Sequence, residues 1–385
     1  MKRHLPLTGL FAVLACLALL ACDPEDPTGD DDTTGSVDPI HVDIDEECDN
    51  VNPDYCMLPW PSSRYLAADD GTATGWRVDY REDAFTKNHM DQPFDVEPYN
   101  RLDGFSPASQ LLTVFDAPVD ASALPFHDSY DLSLEADCPT VVLDMETGER
   151  LAHFAEFDTR FDYPGEIMMY IRPAERLEEN RRYAVAIRGL QYEDGGEVPP
   201  SEVFAALRDG VITDAAQVEA RRPGFEEVFS ALTGAGVERD GLIQAWDFHT
   251  ASGEMIWGDL LHMRDDAFER LGADGLGCTI TSVEEFTPEE NDQVFRKIKG
   301  TYTVPSYMDS PYPPARVVRG DDGRPEFQEN QEIEFFMNIP QSVAESGGHP
   351  ARLITHGHGL MDSGEAVFWS GERGIAQDVG VVMVG

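Results

Sequence analysis

Four consecutive residues, His356-Gly357-His358-Gly359, have the types and spacing of a reaction-centre turn. Glycines directly after a strand leave backbone N–H groups unscreened by a Cβ, and N–H groups aimed at one point stabilise a developing oxyanion. The flanking sequence supplies elements to hold such a turn. Arg352-Leu353-Ile354-Thr355 reads as a buried strand, residues 364–377 as a helix, and Gly380-Val381-Val382-Met383-Val384-Gly385 as a second buried strand. Strand, glycine turn, helix and strand make one parallel βαβ unit. The histidines also invite a metal reading with Asp362, but His-x-His-x-x-x-Asp departs from the clusters of metallo-hydrolases. His262 and His349 lie in no ligand-like cluster, and neither a metal nor another cofactor is expected.

The elements that must carry this turn are read from the preceding chain. Strand patterns recur at residues 110–115, 140–144, 150–157, 166–172 and 181–188, with Glu146-Thr147-Gly148 reading as a hairpin turn between the second and third. Short strands at this spacing predict a β-sandwich, with Tyr183 as a corner tyrosine of its core. The period then changes. Residues 201–208, 214–222 and 225–232 read as helices, the last two separated at Pro223-Gly224. Residues 242–251 alternate like a strand, and Ser252 is placed to cap a helix over 254–271. Trp246 and Trp257 read as packing residues. Strand patterns return at 300–305 and 332–339. The expected class is α+β and multidomain: a β-sandwich-like domain (48–198), a mainly helical segment (199–295), and the first part of an α/β-hydrolase sheet (296–385).

A chain of 385 residues with 41% hydrophobic content has enough apolar sequence for more than one core. Lys+Arg 28 against Asp+Glu 73 gives a net charge of −45, which repels phosphate backbones and excludes nucleic acid as a partner. Lys2-Arg3-His4 followed by an apolar stretch over residues 5–21 has the form of a signal peptide. Leu19-Leu20-Ala21-Cys22 resembles a bacterial lipoprotein processing box, so Cys22 is the expected lipidation site, with Val13-Leu14-Ala15-Cys16 as a weaker competitor. Residues 23–47 read as a disordered acidic tether, and the membrane, reached through the lipid, is the expected partner. Setting aside Cys16 and Cys22 leaves Cys48, Cys56, Cys138 and Cys278, with three possible pairings. Proximity favours Cys48 with Cys56, which would leave Cys138 to pair with Cys278.

Several short stretches, in order, carry a resemblance: Asp103-Gly104-Phe105-Ser106-Pro107, Ile171-Arg172-Pro173, Arg182-Tyr183-Ala184-Val185-Ala186, Ala245-Trp246-Asp247-Phe248 and the His356–Gly359 turn. The chain resembles large bacterial lipoproteins in which a lipase- or esterase-like α/β-hydrolase domain follows an immunoglobulin-like domain. The resemblance implies that Gly357, His358 and Gly359 form the oxyanion turn, with the amide of His358 or Gly359 as donor and an ester as substrate. It also implies a G-x-S-x-G nucleophile elbow after the fifth strand of the sheet, yet the sequence contains no G-x-S-x-G. Ser363 and Ser370 fall in or near the helical stretch instead. The expectation is an incomplete product without esterase activity of its own. The alternative is a surface-displayed binding lipoprotein, stabilised by cations at Asp-rich turns such as Asp30-Asp31-Asp32 or Asp321-Asp322-Gly323, although neither fits an EF-hand loop.

Overall fold

A computed structural model describes residues 38–385 except residue 54, residues 159–165 and residues 348–350. The signal stretch, Cys16, Cys22, Asp30-Asp31-Asp32 and His349 lie outside the described residues. A short hairpin, β1 (Leu66–Ala68) with β2 (Trp76–Val78), precedes five strands: β3 (Leu111–Phe115), β4 (Thr140–Asp144), β5 (His153–Phe157), β6 (Ile167–Pro173) and β7 (Arg182–Arg188). Helices α1 (Glu202–Asp209) and α2 (Ala216–Gly234) and strand β8 (Leu242–His249) come next. A π-helical turn, Glu254–Gly258, leads into α3 (Asp259–Leu271). The remainder is β9 (Cys278–Glu285), β10 (Val294–Ser306), β11 (Glu329–Pro340), α4 (Gln341–Glu345), β12 (Arg352–Thr355), α5 (Ser370–Val379) and β13 (Val381–Val384).

The expected sandwich is present as two antiparallel three-stranded sheets, ordered β3-β6-β5 and β4-β7-β8. Side chains alternate across a strand, so the second sheet serves two cores. Val142, Val185, Ile187, Trp246 and Phe248 face the first sheet and meet Leu111, Met169 and Ile171. Val141, Leu143, Ala184, Ala186 and Ala245 face outward and are covered by Phe204 and Leu207 of α1 and by Phe225, Val228, Phe229 and Leu232 of α2. Tyr183 is a core residue as expected: its hydroxyl accepts the Glu178 N–H at 2.9 Å, and its ring stacks on Phe248.

Four local expectations change. The turn after β4 closes only the base of the expected hairpin: Leu143 and Arg150 form an antiparallel bridge, with the Asp144 N–H on the Glu149 carbonyl at 3.0 Å and the Leu151 N–H on the Val142 carbonyl at 2.8 Å, but β4 pairs with β7 and β5 with β6. The Gly148 turn is a corner at which the chain crosses between sheets. Its Asp144 carboxylate accepts the N–H groups of Glu146 and Thr147. Second, Pro223-Gly224 does not divide the helices, and α2 runs through it. An interior proline costs about 3 kcal/mol, but the apolar face from Val218 to Leu232 is continuous across it, and burying each large side chain gains about 1.5–3 kcal/mol. Third, the stretch 199–295 is not only helical. Besides the expected strand at 242–251, which is β8 of the sandwich, it supplies β9 to the next sheet, and α1 and α2 are an insertion between neighbouring strands. Fourth, the end of the acidic stretch is docked. Val42 is buried, Ile40 bridges Thr213, and His41 Nδ1 lies 2.7 Å from Asp214.

A five-stranded mixed sheet, ordered β9-β10-β11-β13-β12, carries the glycine turn. Strands β9, β10, β11 and β13 are mutually antiparallel neighbours, whereas β12 and β13 run parallel with α5 between them in sequence. The βαβ unit is therefore formed. On one face Phe336 and Met383 pack with Val367, Phe368 and Ala376. The register places Ile280, Val283, Ile298, Tyr302, Met337 and Leu353 on the opposite face. Leu353 is 59% exposed there and Ile280 and Val283 each 51%. β13 is buried at Val381 and Met383 as predicted, but β12 is exposed along its length. It is an edge strand, and among the described residues no layer covers the face through Leu353.

Candidate functional site

β12 delivers the chain to the turn. The His356 N–H donates to the Val384 carbonyl at 2.7 Å, which prolongs the parallel ladder by one residue. Gly357, His358 and Gly359 then project beyond the carboxyl end of β12, all exposed. His358 Nδ1 lies 2.8 Å from the Gly359 carbonyl oxygen, and because a carbonyl only accepts, Nδ1 carries the proton. The Asp362 N–H closes the turn on the Gly359 carbonyl at 3.2 Å. Neither Gly357 nor Gly359 has a positive φ, and a Cβ at either position would meet no atom within 4 Å. The fold does not demand glycine there. What the two glycines provide is an unscreened approach to the backbone from outside. Accordingly, Gly357→Ala should change stability by less than about 0.5 kcal/mol, as read from thermal melts.

The glycine the fold does demand is Gly364. A Cβ there would stand 2.4 Å from the Gly385 carbonyl carbon and 2.8 Å from its oxygen. Gly385 exchanges both backbone hydrogen bonds with Phe336, each 2.9 Å, so it cannot retreat without breaking the junction of β11 and β13. Gly364→Ala should therefore loosen the end of β13 and with it the turn, at about 1–3 kcal/mol. Faster amide hydrogen exchange at His356, Phe336 and Gly385 would report it.

The two serines near the turn have other tasks. Ser363 Oγ accepts the Glu365 N–H at 3.3 Å and caps the 3-10 turn Gly364–Phe368, and Ser370 opens α5. Among the described residues neither is hydrogen-bonded to an imidazole. Neither sits on a strand-to-helix elbow. Asp362 binds its neighbour's backbone, Ser363 N–H, at 2.8 Å. Among the described residues no group of three or more His, Cys, Asp and Glu side chains is placed to hold a metal ion.

Three of the other stretches that carried the resemblance converge elsewhere, at the end of β8, while Ile171-Arg172-Pro173 lies on β6 and pairs with β3 and β5. The Asp103 carboxylate accepts the Ser252 N–H at 3.0 Å; Phe105 and the 249–251 backbone exchange bonds of 2.9 and 2.7 Å. Gly104 has φ +156°, and a Cβ on it would lie 2.7 Å from Ala251 N. Asp247 accepts from Ser63 Oγ at 2.9 Å and from Arg182 Nε at 2.7 Å, while Trp246 donates through Nε1 to the Pro61 carbonyl at 2.9 Å. These residues build the scaffold that ends the sandwich. Sequence reasoning gave no hint of this convergence, since the partners are up to 185 residues apart.

Of the cysteines, Cys48 and Cys56 are joined in a disulfide. Cys138 and Cys278 are not paired: Cys138 is buried beside Thr140 at the start of β4, and Cys278 is exposed at the start of β9 in the other sheet. The two thiols belong to separate sheets with separate cores. No helix among the described residues is long and apolar enough to cross a membrane. No protein-family model matches the chain, and no curated protein matches it either.

Proposed function

We propose that the protein is an exported, lipid-anchored relative of serine esterases and lipases, in which the β-sandwich carries the opening part of a hydrolase sheet and the attacking serine is absent. The chain by itself then turns over no ester. The observation behind this reading is the position of His356–Gly359 at the carboxyl end of a parallel strand, inside a β12–α5–β13 unit. In open α/β sheets ligands bind just outside that end. In this reading the amide of His358 or Gly359 is the oxyanion donor.

Two further features support it. Parallel strands occur with both faces covered, yet the face through Leu353, Ile298 and Val283 is apolar and bare. Among the described residues the outer edge of β12 pairs with no strand either, a position that accepts another strand. Both suit a sheet that belongs to a larger α/β layer. Reading the coding DNA beyond codon 385 in three frames tests the lineage: a G-x-S-x-G is expected, and its absence would favour a binding module on a hydrolase-like scaffold.

The anchor is proposed at Cys22, where acyl chains gain about 0.8 kcal/mol per buried methylene. The Cys48–Cys56 disulfide is of the kind that persists in an exported protein. Cys22→Ser should move the protein from the membrane to the soluble fraction and abolish incorporation of radiolabelled palmitate.

A further inference from the structure

We infer that the π-helical turn Glu254–Gly258 is a hinge between the sandwich and the five-stranded sheet, latched by the Arg176 guanidinium on the Trp257 indole. This goes beyond the proposed esterase lineage and does not depend on it.

The chain is fixed firmly on either side of this turn. Upstream, Asp103 holds Ser252 N–H, and Gly104 lies against the backbone of residues 250–251. Downstream, α3 is keyed to the second sheet. Tyr307 Oη donates to Asp266 at 2.7 Å, and the Arg270 guanidinium stacks 3.8 Å from the Phe327 ring centroid. His262 Nε2 lies 3.1 Å from the Pro325 carbonyl, and Arg319 and Arg324 pair with Asp259 and Glu254.

Between these anchors only Gly258 is buried, and α3 has no buried residue at all. Leu260 and Phe268 are 64% and 66% exposed. Apolar burial therefore does not fix the angle between the two bodies. What touches the turn from the sandwich side is a small set of side chains. Arg176 sits 4.8 Å from the Trp257 ring centroid and is itself held by Glu179 at 2.5 Å. The Glu179 carboxylate and the Trp257 Nε1 both close over Gly253, where a Cβ would lie 2.3 and 3.1 Å from them. Trp257, expected to be a packing residue, is instead 37% exposed with a cation on its face. A half-exposed cation–π contact is a weak restraint, and π-helical turns are sites where helices bend. Releasing it lets α3 and the sheet bearing the glycine turn swing as one body against the sandwich, the behaviour of a hinge whose few residues absorb the change.

Cys278 offers a native exposed thiol on the second sheet, and Glu193→Cys adds one on an exposed turn of the sandwich. Spin labels at the two positions report the distance by double electron–electron resonance on the full mature chain. The unaltered latch should give one narrow distance population. Arg176→Gln and Trp257→Leu should each broaden it and add a second population, raising the open-to-closed ratio about fivefold, with the melting of the sandwich unchanged. Trp257→Phe and Arg176→Lys, which retain a cation over an aromatic face, should stay narrow. Distributions for Arg176→Gln and Trp257→Leu that superimpose on the parent would overturn the hinge. Broadening that appears only with loss of cooperative melting would overturn it too.

Discussion

Replacing Asp49 by alanine is expected to destabilise the sandwich by about 3–5 kcal/mol, read as a lower urea midpoint with an unchanged denaturant slope. Asp49 has no solvent exposure. Its carboxylate accepts from Arg221 Nη1 at 2.7 Å and Nη2 at 3.3 Å, from Ser62 Oγ at 2.5 Å and from the Val51 N–H at 3.2 Å. Its own N–H donates to the Tyr65 hydroxyl at 2.9 Å, and that hydroxyl donates to the Cys56 carbonyl. One carboxylate thus ties the disulfide loop, the 3-10 turn Ser63–Tyr65 with its cap Ser62, and α2 together. Removing it leaves the Arg221 charge partly buried without its partner, and that uncompensated charge is the main cost. Asp49→Leu combined with Arg221→Leu should recover a large part of the loss, because removing both charges also removes the desolvation penalty. If the double variant is as unstable as the sum of the singles, the pair is not coupled.

The second large effect is with pH. His153 is fully buried on β5, and burial pushes its pKa down to about 4. Its Nδ1 donates to the Leu151 carbonyl at 2.9 Å, so Nε2 is left to accept the Thr140 hydroxyl at 2.9 Å. The folded state therefore holds a neutral imidazole that the unfolded chain protonates near pH 6.5. The unfolded state binds the extra proton between pH 6.5 and 4, so stability is fully present above 6.5 and falls as pH drops through this window. The loss from His153 alone amounts to about 3 kcal/mol. His249, at the end of β8, adds to it in the same direction. Burial lowers its pKa to about 4 as well, its Nδ1 has no hydrogen-bond partner among the described residues, and its ring lies against Trp76. Urea titrations from pH 7 to pH 4 should show this slope, and His153→Gln should reduce it by the share that His153 contributes, leaving that of His249. A parent protein equally stable at pH 7 and pH 4.5 would contradict the assignment.

Local pattern made much of this architecture legible. The alternation in Tyr183-Ala184-Val185-Ala186-Ile187 and in residues 242–249 marks strands, because a sheet with a core on each face needs apolar side chains at every position. The parallel unit after Ala351 is legible at Val381 and Met383, the two residues that β13 buries on its covered face. Pairing was not readable. The Gly148 turn closes a hairpin of a single bridge, Leu143 with Arg150, because turn chemistry is local, whereas the choice of sheet by β4 and β5 is made by contacts with β7 and β6 farther along the chain. Pro223 looks like a break because the proline penalty is local and the burial that outweighs it is not. β9 is not legible because Cys278–Glu285 is an exposed edge with weak apolar content. At the site, the four turn residues were visible as a string, but the need for glycine at 364 arises from a carbonyl 21 residues away. The Asp49–Arg221 pair, 172 residues apart, leaves no trace in local sequence.

The most direct test of the central claim, an oxyanion turn without its own nucleophile, is the intact mass of the purified mature chain after a serine-reactive fluorophosphonate. A p-nitrophenyl butyrate assay on the same sample accompanies it. The expected result is an unshifted mass and hydrolysis no faster than buffer. A stoichiometric adduct on any serine, matched by loss of measurable ester turnover, would show that the chain carries a complete reaction centre.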